Sequence, residues 1–497
     1  VSVVVIGAGL SGLAATLHLL GQGEEVVVLE RESVPGGRAM GVKQDGFTFD
    51  YGPTVFTMVE LLDEAFQAVG RRVQEEVPLR QLDPAYRAFY ADGSVLDLPA
   101  GVDSIREAVR EASGDDEAAS FDRYVKWLKA LYKVEMPYFI DANFDSPLDL
   151  AREPRALERI VRLGGFKRLG PTVEQAFKDE RWQRLFSFQA MYAGLAPRDA
   201  LALYCVISYM DSILGVWFPE TGGIRAVPEA MARVAEEEGA TIHYGAEVER
   251  ILTGSKGVTG VRLSDGDVVR ADRVICTVDL PIAYDELLPE LSKPGAVKRA
   301  NYSPSCTVLH LGVKGEPPKH AAHHNITFGR DWDEAFADIM DRGRPMQDPS
   351  RFVVVPSLDD ENAAPEECTS LFILEPTPNL EVGSGINWDE EGKRMRDRIL
   401  EDLDARGYPT DVVTERLVTP KDWRAQGMAA GTPFAVSHAF ATTGPFRPKN
   451  IDERVPGLIF AGSSTTPGVG IPMVLISGKL AAERATGVHM TGVRRNS

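Results

Sequence analysis

Val3-Val-Val-Ile-Gly7-Ala-Gly9-Leu-Ser-Gly12, then Ala14-Ala-Thr-Leu-His-Leu-Leu20, then Glu25-Val-Val-Val-Leu-Glu30: the fold turns on how this stretch is read. Val3 to Ile6 is an all-apolar run, as expected of a buried parallel strand whose two faces are both covered. It enters a glycine-rich turn and continues as a small-residue, apolar helix. Gly7 permits the tight turn, Gly9 lets backbone approach a pyrophosphate, and Gly12 lets helix and strand pack closely. A phosphate would sit where the unpaired N–H groups and the helix dipole point. The second strand ends at Glu30, 18 residues after Gly12, where an acid accepting ribose hydroxyl hydrogen bonds belongs. Strand, turn, helix, strand and acid in this order predict a dinucleotide site; the alternative is a doubly wound fold that binds none.

The next segments, Pro35-Gly36-Gly37-Arg38-Ala39 and Phe47-Thr-Phe-Asp-Tyr-Gly52-Pro53-Thr54, bear on which dinucleotide is bound. A nicotinamide protein normally proceeds to its next strand and helix. Here a Gly-Gly-Arg loop is followed by a β segment and a Gly-Pro turn. Arg38 could face the pyrophosphate, and Gly52 with Pro53 could bring backbone near a flavin ring. A surface turn with a solvated arginine is the other reading.

Together Gly7 to Gly12, Glu30, Gly36-Gly37-Arg38 and Asp50-Tyr51-Gly52-Pro53 resemble the opening of the amine oxidase and carotenoid desaturase superfamily of FAD proteins. The stretch from Gly462 to Gly478, Gly-Ser-Ser-Thr-Thr-Pro-Gly-Val-Gly-Ile-Pro-Met-Val-Leu-Ile-Ser-Gly, resembles the FAD-closing signature of bacterial-type phytoene desaturases. Residues 431–448 also resemble the aromatic and proline-rich stretch that precedes that signature, so the similarity covers most of the chain. It implies an α/β protein: a Rossmann-like FAD-binding domain of the glutathione-reductase/amine-oxidase type, with a mixed-sheet and helical substrate lobe. The cofactor implied is FAD, held by Gly7, Gly9, Gly12, Glu30, Gly37, Arg38, Gly52, Pro53 and Thr54 from the opening. Val248 would meet the adenine end, and Gly462, Ser463, Gly470, Ile471, Pro472 and Met473 would close over the flavin. One departure stands out: relatives often carry Ala-Gly-Thr-His before the final Pro-Gly, whereas this chain has Gly462-Ser463-Ser464-Thr465-Thr466-Pro467. That puts in doubt any role assigned to the histidine.

At 497 residues the chain exceeds what one hydrophobic core usually supports, so two or more lobes are expected. The expected division is a first FAD-binding part at 1–85, a helical substrate and membrane-associated lobe at 86–221, and a middle FAD-binding part at 222–295. A sheet-containing substrate part at 296–430, a closing FAD-binding part at 431–490 and a tail at 491–497 complete it. A hairpin is expected within 86–98 around Asp92-Gly93, and helices near 57–69, 104–136, 184–195, 224–238 and 390–406. A net charge of -19 disfavours nucleic acid. Four widely spaced cysteines, Cys205, Cys276, Cys306 and Cys368, read as isolated thiols in a reducing compartment. With no leader pattern and no run of about 18 apolar residues, a cytoplasmic protein is expected. No metal is expected either: His320-Ala-Ala-His323-His324 lacks the spacing of a zinc-binding helix.

Arg152 to Arg168 holds six basic and two acidic residues among interspersed apolar ones. This is either an amphipathic helix packed on its own domain or a segment meeting a lipid interface, its basic groups reaching phosphates. The resemblance favours peripheral contact with the cytoplasmic membrane. Two aromatic and methionine-rich stretches, 184–195 and 204–218, are either core or the lining of a cavity for a large hydrocarbon.

The activity implied by the resemblance is FAD-dependent desaturation of a long apolar carotenoid, 15-cis-phytoene toward lycopene, with oxygen or a quinone as electron acceptor. Allylic hydride loss and loss of a proton from the adjacent carbon need no nucleophilic triad, because the cofactor supplies the electron chemistry. Asp149 and Arg152 are the catalytic candidates near the substrate entrance, against simple solvent exposure beside the Asp145-Ser-Pro turn; water or the flavin could also take the proton. Alternatives are a desaturase of a C30 or modified C40 substrate, a polyene isomerase or saturase, an amine oxidase, and a non-catalytic flavoprotein.

Overall fold

The computed structural model describes residues 2–490, so the expected tail at 491–497 lies outside the described residues. Val3–Ile6 is the middle strand of a five-stranded, wholly parallel sheet, ordered Leu458–Phe460, Arg273–Cys276, Val3–Ile6, Val26–Glu30, Thr241–Tyr244. Val3, Val4 and Val5 are fully buried, as a central strand covered on both faces demands. The opening helix Leu10–Leu20 starts directly from the glycine turn. A Cβ on Gly12 would stand 2.0 Å from the Gly7 carbonyl oxygen, so only glycine lets the helix seat this close to the strand.

The last strand and the closing helix, Ile471–Thr486, return to this sheet from the far end of the chain. The closing helix lies on the opening one at a small-residue crossing: a Cβ on Gly478 would stand 2.3 Å from the Ser11 carbonyl oxygen. Its Lys479 is buried between Asp141 at 2.8 Å and Glu64 at 3.0 Å, tying it also to the helix Val59–Gln67. Between the parallel strands sits an antiparallel meander, Val248–Gly254, Gly257–Leu263 and Val268–Arg270.

A second sheet of seven mixed strands forms the floor of the other lobe. Its long strands Ser305–Lys314 and Cys368–Thr377 pair over their full length. The hairpin Tyr86–Phe89 and Val95–Leu98 forms as the Asp92-Gly93 turn predicts, but it completes this sheet rather than joining the helical lobe, through a parallel pairing with His324–Thr327. Helices Val102–Ser113 and Asp115–Glu135 begin the lobe beyond it. The helix expected over 184–195 is shorter: Glu180–Leu185 ends, and a 3-10 turn, Phe188–Ala193, follows before Gly194 at φ 72°. No helix among the described residues is long and apolar enough to cross a membrane.

Candidate functional site

A single cavity of about 900 Å³ runs from the glycine turn of the parallel sheet into the lobe above the mixed sheet. Of the residues assigned to the cofactor, all but Gly12 line it. Gly12 lies beneath, where its contact with Gly7 sets the turn. Both ends of the chain open into this space through helix N-termini. Neither the opening helix, preceded by Gly9, nor the closing helix, preceded by Gly470, has a side chain capping its first N–H groups. Unsatisfied amides with the positive end of a helix dipole are a site for anions and for carbonyl oxygens.

The Gly36-Gly37-Arg38 loop is held against the first turn, Gly36 N–H donating to the Ala8 carbonyl at 2.9 Å. A methyl on Gly9 would meet nothing nearer than 3.9 Å and would stand in the gap facing Gly36 and Gly37, where a pyrophosphate needs room. Gly52 is required for a different reason: its Cβ would fall 2.5 Å from the Arg38 carbonyl oxygen. Glu30 is buried and accepts the Ala8 and Glu32 amides at 2.7 and 2.9 Å, one on each carboxylate oxygen. Burial raises its pKa from the ordinary carboxylate value, yet each oxygen retains a lone pair for a hydroxyl donor. Val248 lines the same end.

Arg38 joins the two chain ends directly, donating to the Ser463 hydroxyl and to the Pro433 carbonyl, each at 3.0 Å. Gly462 N–H donates to the Ser477 hydroxyl at 2.9 Å, and that hydroxyl donates to the Thr466 carbonyl at 2.8 Å, so the closing loop is pinned to its own helix.

Three residues not singled out from the sequence hold this loop. Arg447 is buried and donates to the Thr465 carbonyl at 2.8 Å and the Val436 carbonyl at 3.0 Å. Burial brings its pKa down to about 10, which leaves it cationic at neutral pH. Asp279 accepts the Ala429 amide at 2.8 Å and the Ser464 hydroxyl. His438 packs edge-on to Tyr204, with ring centroids 5.6 Å apart, and fills the space beside Gly468, where a Cβ would lie 2.2 Å from its ring. Burial and the Arg447 charge hold its pKa well below the ordinary histidine value, so it stays neutral. His438 and Arg447 fall in the stretch 431–448 whose resemblance marked the segment but not these side chains, and a lone Asp279 carries no motif.

Beyond Pro53 and Thr54 the wall turns apolar, with Phe188, Met191, Phe328, Trp332, Phe336 and Phe352 lining it. The stretches 184–195 and 204–218 contribute Tyr192, Tyr204, Ile207 and Met210. Asp149 and Arg152 do not line the cavity. The Asp149 carboxylate accepts the Asp145 and Ser146 amides at 2.7 and 2.9 Å and pairs with Arg152 at 3.0 Å. Those amides, with Arg152 nearby, hold its pKa below the ordinary value. Arg152 is exposed, and of this turn Leu150 is the residue that reaches the cavity. His323 pairs with Asp359 at 2.6 Å and His324 contacts the Ala85 carbonyl at 3.1 Å, so these two histidines point to different partners.

The uncapped helix ends, the gap at Gly9, the available lone pairs of Glu30 and the adjoining apolar wall fit a dinucleotide with a flat ring and an extended apolar partner. A family described as flavin containing amine oxidoreductase matches residues 10–486. A phytoene dehydrogenase from Streptomyces griseus is 47% identical over 499 residues, covering 100% of this chain and 97% of that protein. A zeta-carotene-forming phytoene desaturase from Myxococcus xanthus is 38% identical, covering 99% of this chain and 95% of that protein. Among solved structures, an oxidoreductase from Methanosarcina mazei superposes with a TM-score of 0.63 at 19% identity, over 97% of this chain and 100% of the other.

Proposed function

The chain belongs to the family of flavin-containing amine oxidoreductases and, within it, to the FAD-dependent carotenoid desaturases; from that premise we propose that it takes 15-cis-phytoene through successive desaturations toward lycopene. When bound, FAD supplies acceptance of two electrons and a hydrogen from an allylic carbon. The protein's own work is to bind, orient and keep water out. The Gly7 turn and the opening helix would hold the pyrophosphate, Glu30 the ribose, and the amides of Gly470, Ile471 and Met473 the polar edge of the ring. Arg38 and Arg447 fix the closing loop.

The observation that carries this reading is that one continuous cavity joins two uncapped helix N-termini to a wall of aromatic and aliphatic side chains. A long hydrocarbon is recognised by shape and burial alone, which such a wall provides.

Membrane supply of the substrate is part of the proposal. At one end of the cavity Phe166 is 43% and Phe440 57% exposed, with ring centroids 6.4 Å apart. Leu148 at 80% and Val161 at 58% exposure belong to the adjoining segments, which also carry exposed Arg155, Arg159 and Arg162. Exposed apolar side chains on segments that also carry exposed arginines favour docking on an anionic bilayer. The place of action proposed is therefore the cytoplasmic membrane surface, with oxygen or a quinone taking the electrons onward. Asp149 and Arg152 then sit at this entrance, where their ion pair braces the turn that presents Leu148.

Anaerobic mixing of the FAD-loaded protein with liposome-borne phytoene tests the function. Bleaching of the oxidised-flavin band with appearance of longer conjugated polyenes is expected. A flavin that stays oxidised, with no new polyene, would refute the proposal.

A further inference from the structure

Taking the polyene-dehydrogenating reading as its basis, we propose that Asp211 is the base that removes the second hydrogen, as a proton, from the carbon next to the oxidised one. The flavin's two-electron capacity balances the electrons and hydrogen lost from the first carbon. At the adjacent carbon the C–H bond breaks, its electron pair becomes the second bond of the new alkene, and the proton forms an O–H bond on the Asp211 carboxylate. That step needs a carboxylate, amine or imidazole on the wall facing the polyene; the imidazole there, His438, is held far below its ordinary basicity by burial and the Arg447 charge, which leaves the carboxyl groups.

Most carboxyl groups lining the cavity lie elsewhere or are otherwise engaged. Glu30, Glu32 and Glu247 flank Val248 at the adenine end, exposed Glu286 belongs to the turn Ala283–Leu287 that packs on the Val248 strand, and Asp279 is taken up by the Ala429 amide and the Ser464 hydroxyl. On the apolar side stand Glu135 and Asp211. Glu135 ends the helix Asp115–Glu135, and its buried Oε1 accepts no hydrogen bond. With no donor to stabilise its charge, burial keeps it protonated, which makes it a poor base.

Asp211 is built differently. It sits in a π turn, Tyr209–Ile213, a backbone form that recurs at functional sites. Its carboxylate is 2% exposed and has a donor on either oxygen. The Ser212 hydroxyl donates to Oδ1 at 2.8 Å and the Gln189 side-chain amide to the same oxygen at 3.5 Å, while the Tyr86 hydroxyl donates to Oδ2 at 3.4 Å. Tyr86 stacks on His324, with centroids 5.7 Å apart, and His324 lies against the Thr54 backbone. The carboxyl is therefore two rings away from a residue assigned to the cofactor.

The titratable groups facing it are Tyr86 from the sheet, Tyr192 from the 3-10 turn and Tyr124 from the long helix, all neutral near pH 7. Burial raises its pKa to about 7 against the pull of these donors. A base is most effective when its pKa lies near the working pH.

Asp211→Asn keeps the shape and removes the base. In the FAD-loaded wild type, infrared difference spectra between about pH 5 and pH 9 should show a protonated carboxyl disappearing with a midpoint near 7. Asp211→Asn should lack that transition, retain FAD, and reduce its flavin with phytoene on the order of 100-fold more slowly. The wild-type rate should rise through the same midpoint. Tyr86→Phe removes one donor to the charged form and should move that limb upward. Persistence of the infrared transition in Asp211→Asn, reduction within about threefold of wild type, or an unmoved limb in Tyr86→Phe would overturn the assignment. A wild type that never reduces its flavin with phytoene would instead sink the desaturase reading, and the assignment with it.

Discussion

Replacing Gly478 by alanine tests whether the two ends of the chain must touch for the cofactor to be held. The new Cβ would lie 2.3 Å from the Ser11 carbonyl oxygen and 2.8 Å from both the Ala14 Cβ and the Ala15 nitrogen. Each contact is backbone or a short rigid group, so no side chain can swing aside. Relief requires the closing helix to move off the opening one by about 1 Å, the shortfall from ordinary van der Waals separation. Overpacking of this kind costs about 1–3 kcal/mol, and alanine returns about 1 kcal/mol as the better helix former. The net expectation is a loss of about 0–2 kcal/mol in chemical denaturation of the apo protein. The displaced N-terminus also withdraws its amides and dipole from the cavity, a loss of about 1–2 kcal/mol, or about 5–30-fold in FAD affinity by fluorescence titration. Unchanged stability together with FAD affinity within about twofold of wild type would refute the reasoning, because the crossing would then not set the position of the helix end.

Other predictions concern charge. Glu135 has a raised pKa in the fold through burial, so its favourable protonated state is fully present below the unfolded pKa and its contribution is lost as pH rises toward the folded value. Glu135→Gln should therefore match wild type near pH 4 and outlast it increasingly above, by up to about 1.4 kcal/mol per pH unit in urea denaturation; a pH-independent gap would contradict this. Neutralising Arg155, Arg159 and Arg162 together should weaken binding to anionic liposomes by about 1 kcal/mol per charge with FAD content unchanged, and equal binding would remove the membrane role from this helix. Lys479→Ala takes away the cation between Asp141 and Glu64 and should cost about 3–5 kcal/mol in the same denaturation assay. A loss below about 1 kcal/mol would show that water reaches this site.

What was legible in the sequence was local. The strand, turn and helix from Val3 to Leu20 advertise themselves through apolar runs and glycine spacing, and Glu30 falls at the end of the next strand. The glycine-rich closing loop and its helix were legible for the same reason. Sheet membership was not: the hairpin at 86–98 pairs with His324–Thr327, more than two hundred residues away, and that strand reads as polar although all four residues are buried. The helix expected at 184–195 breaks because Ser187 leaves helical geometry and Gly194 adopts a positive φ, neither visible in a window dominated by aromatic residues. Asp279 and His438 act on partners remote in sequence, and Arg447 acts on bare backbone carbonyls, which carry no sequence signal. Asp211 did leave a signal, a lone acid inside the apolar stretch 204–218, since such a group must be hydrogen-bonded or neutral once buried.

A crystal structure of the FAD-loaded protein with a bound polyene would test the central claim most directly. The account predicts the isoalloxazine ring between Pro53-Thr54 and the amides of Gly470, Ile471 and Met473, with the hydrocarbon running past Phe188 and Trp332 and within reach of Asp211. A ring held away from residues 462–478, or a polyene excluded from that apolar wall, would contradict it.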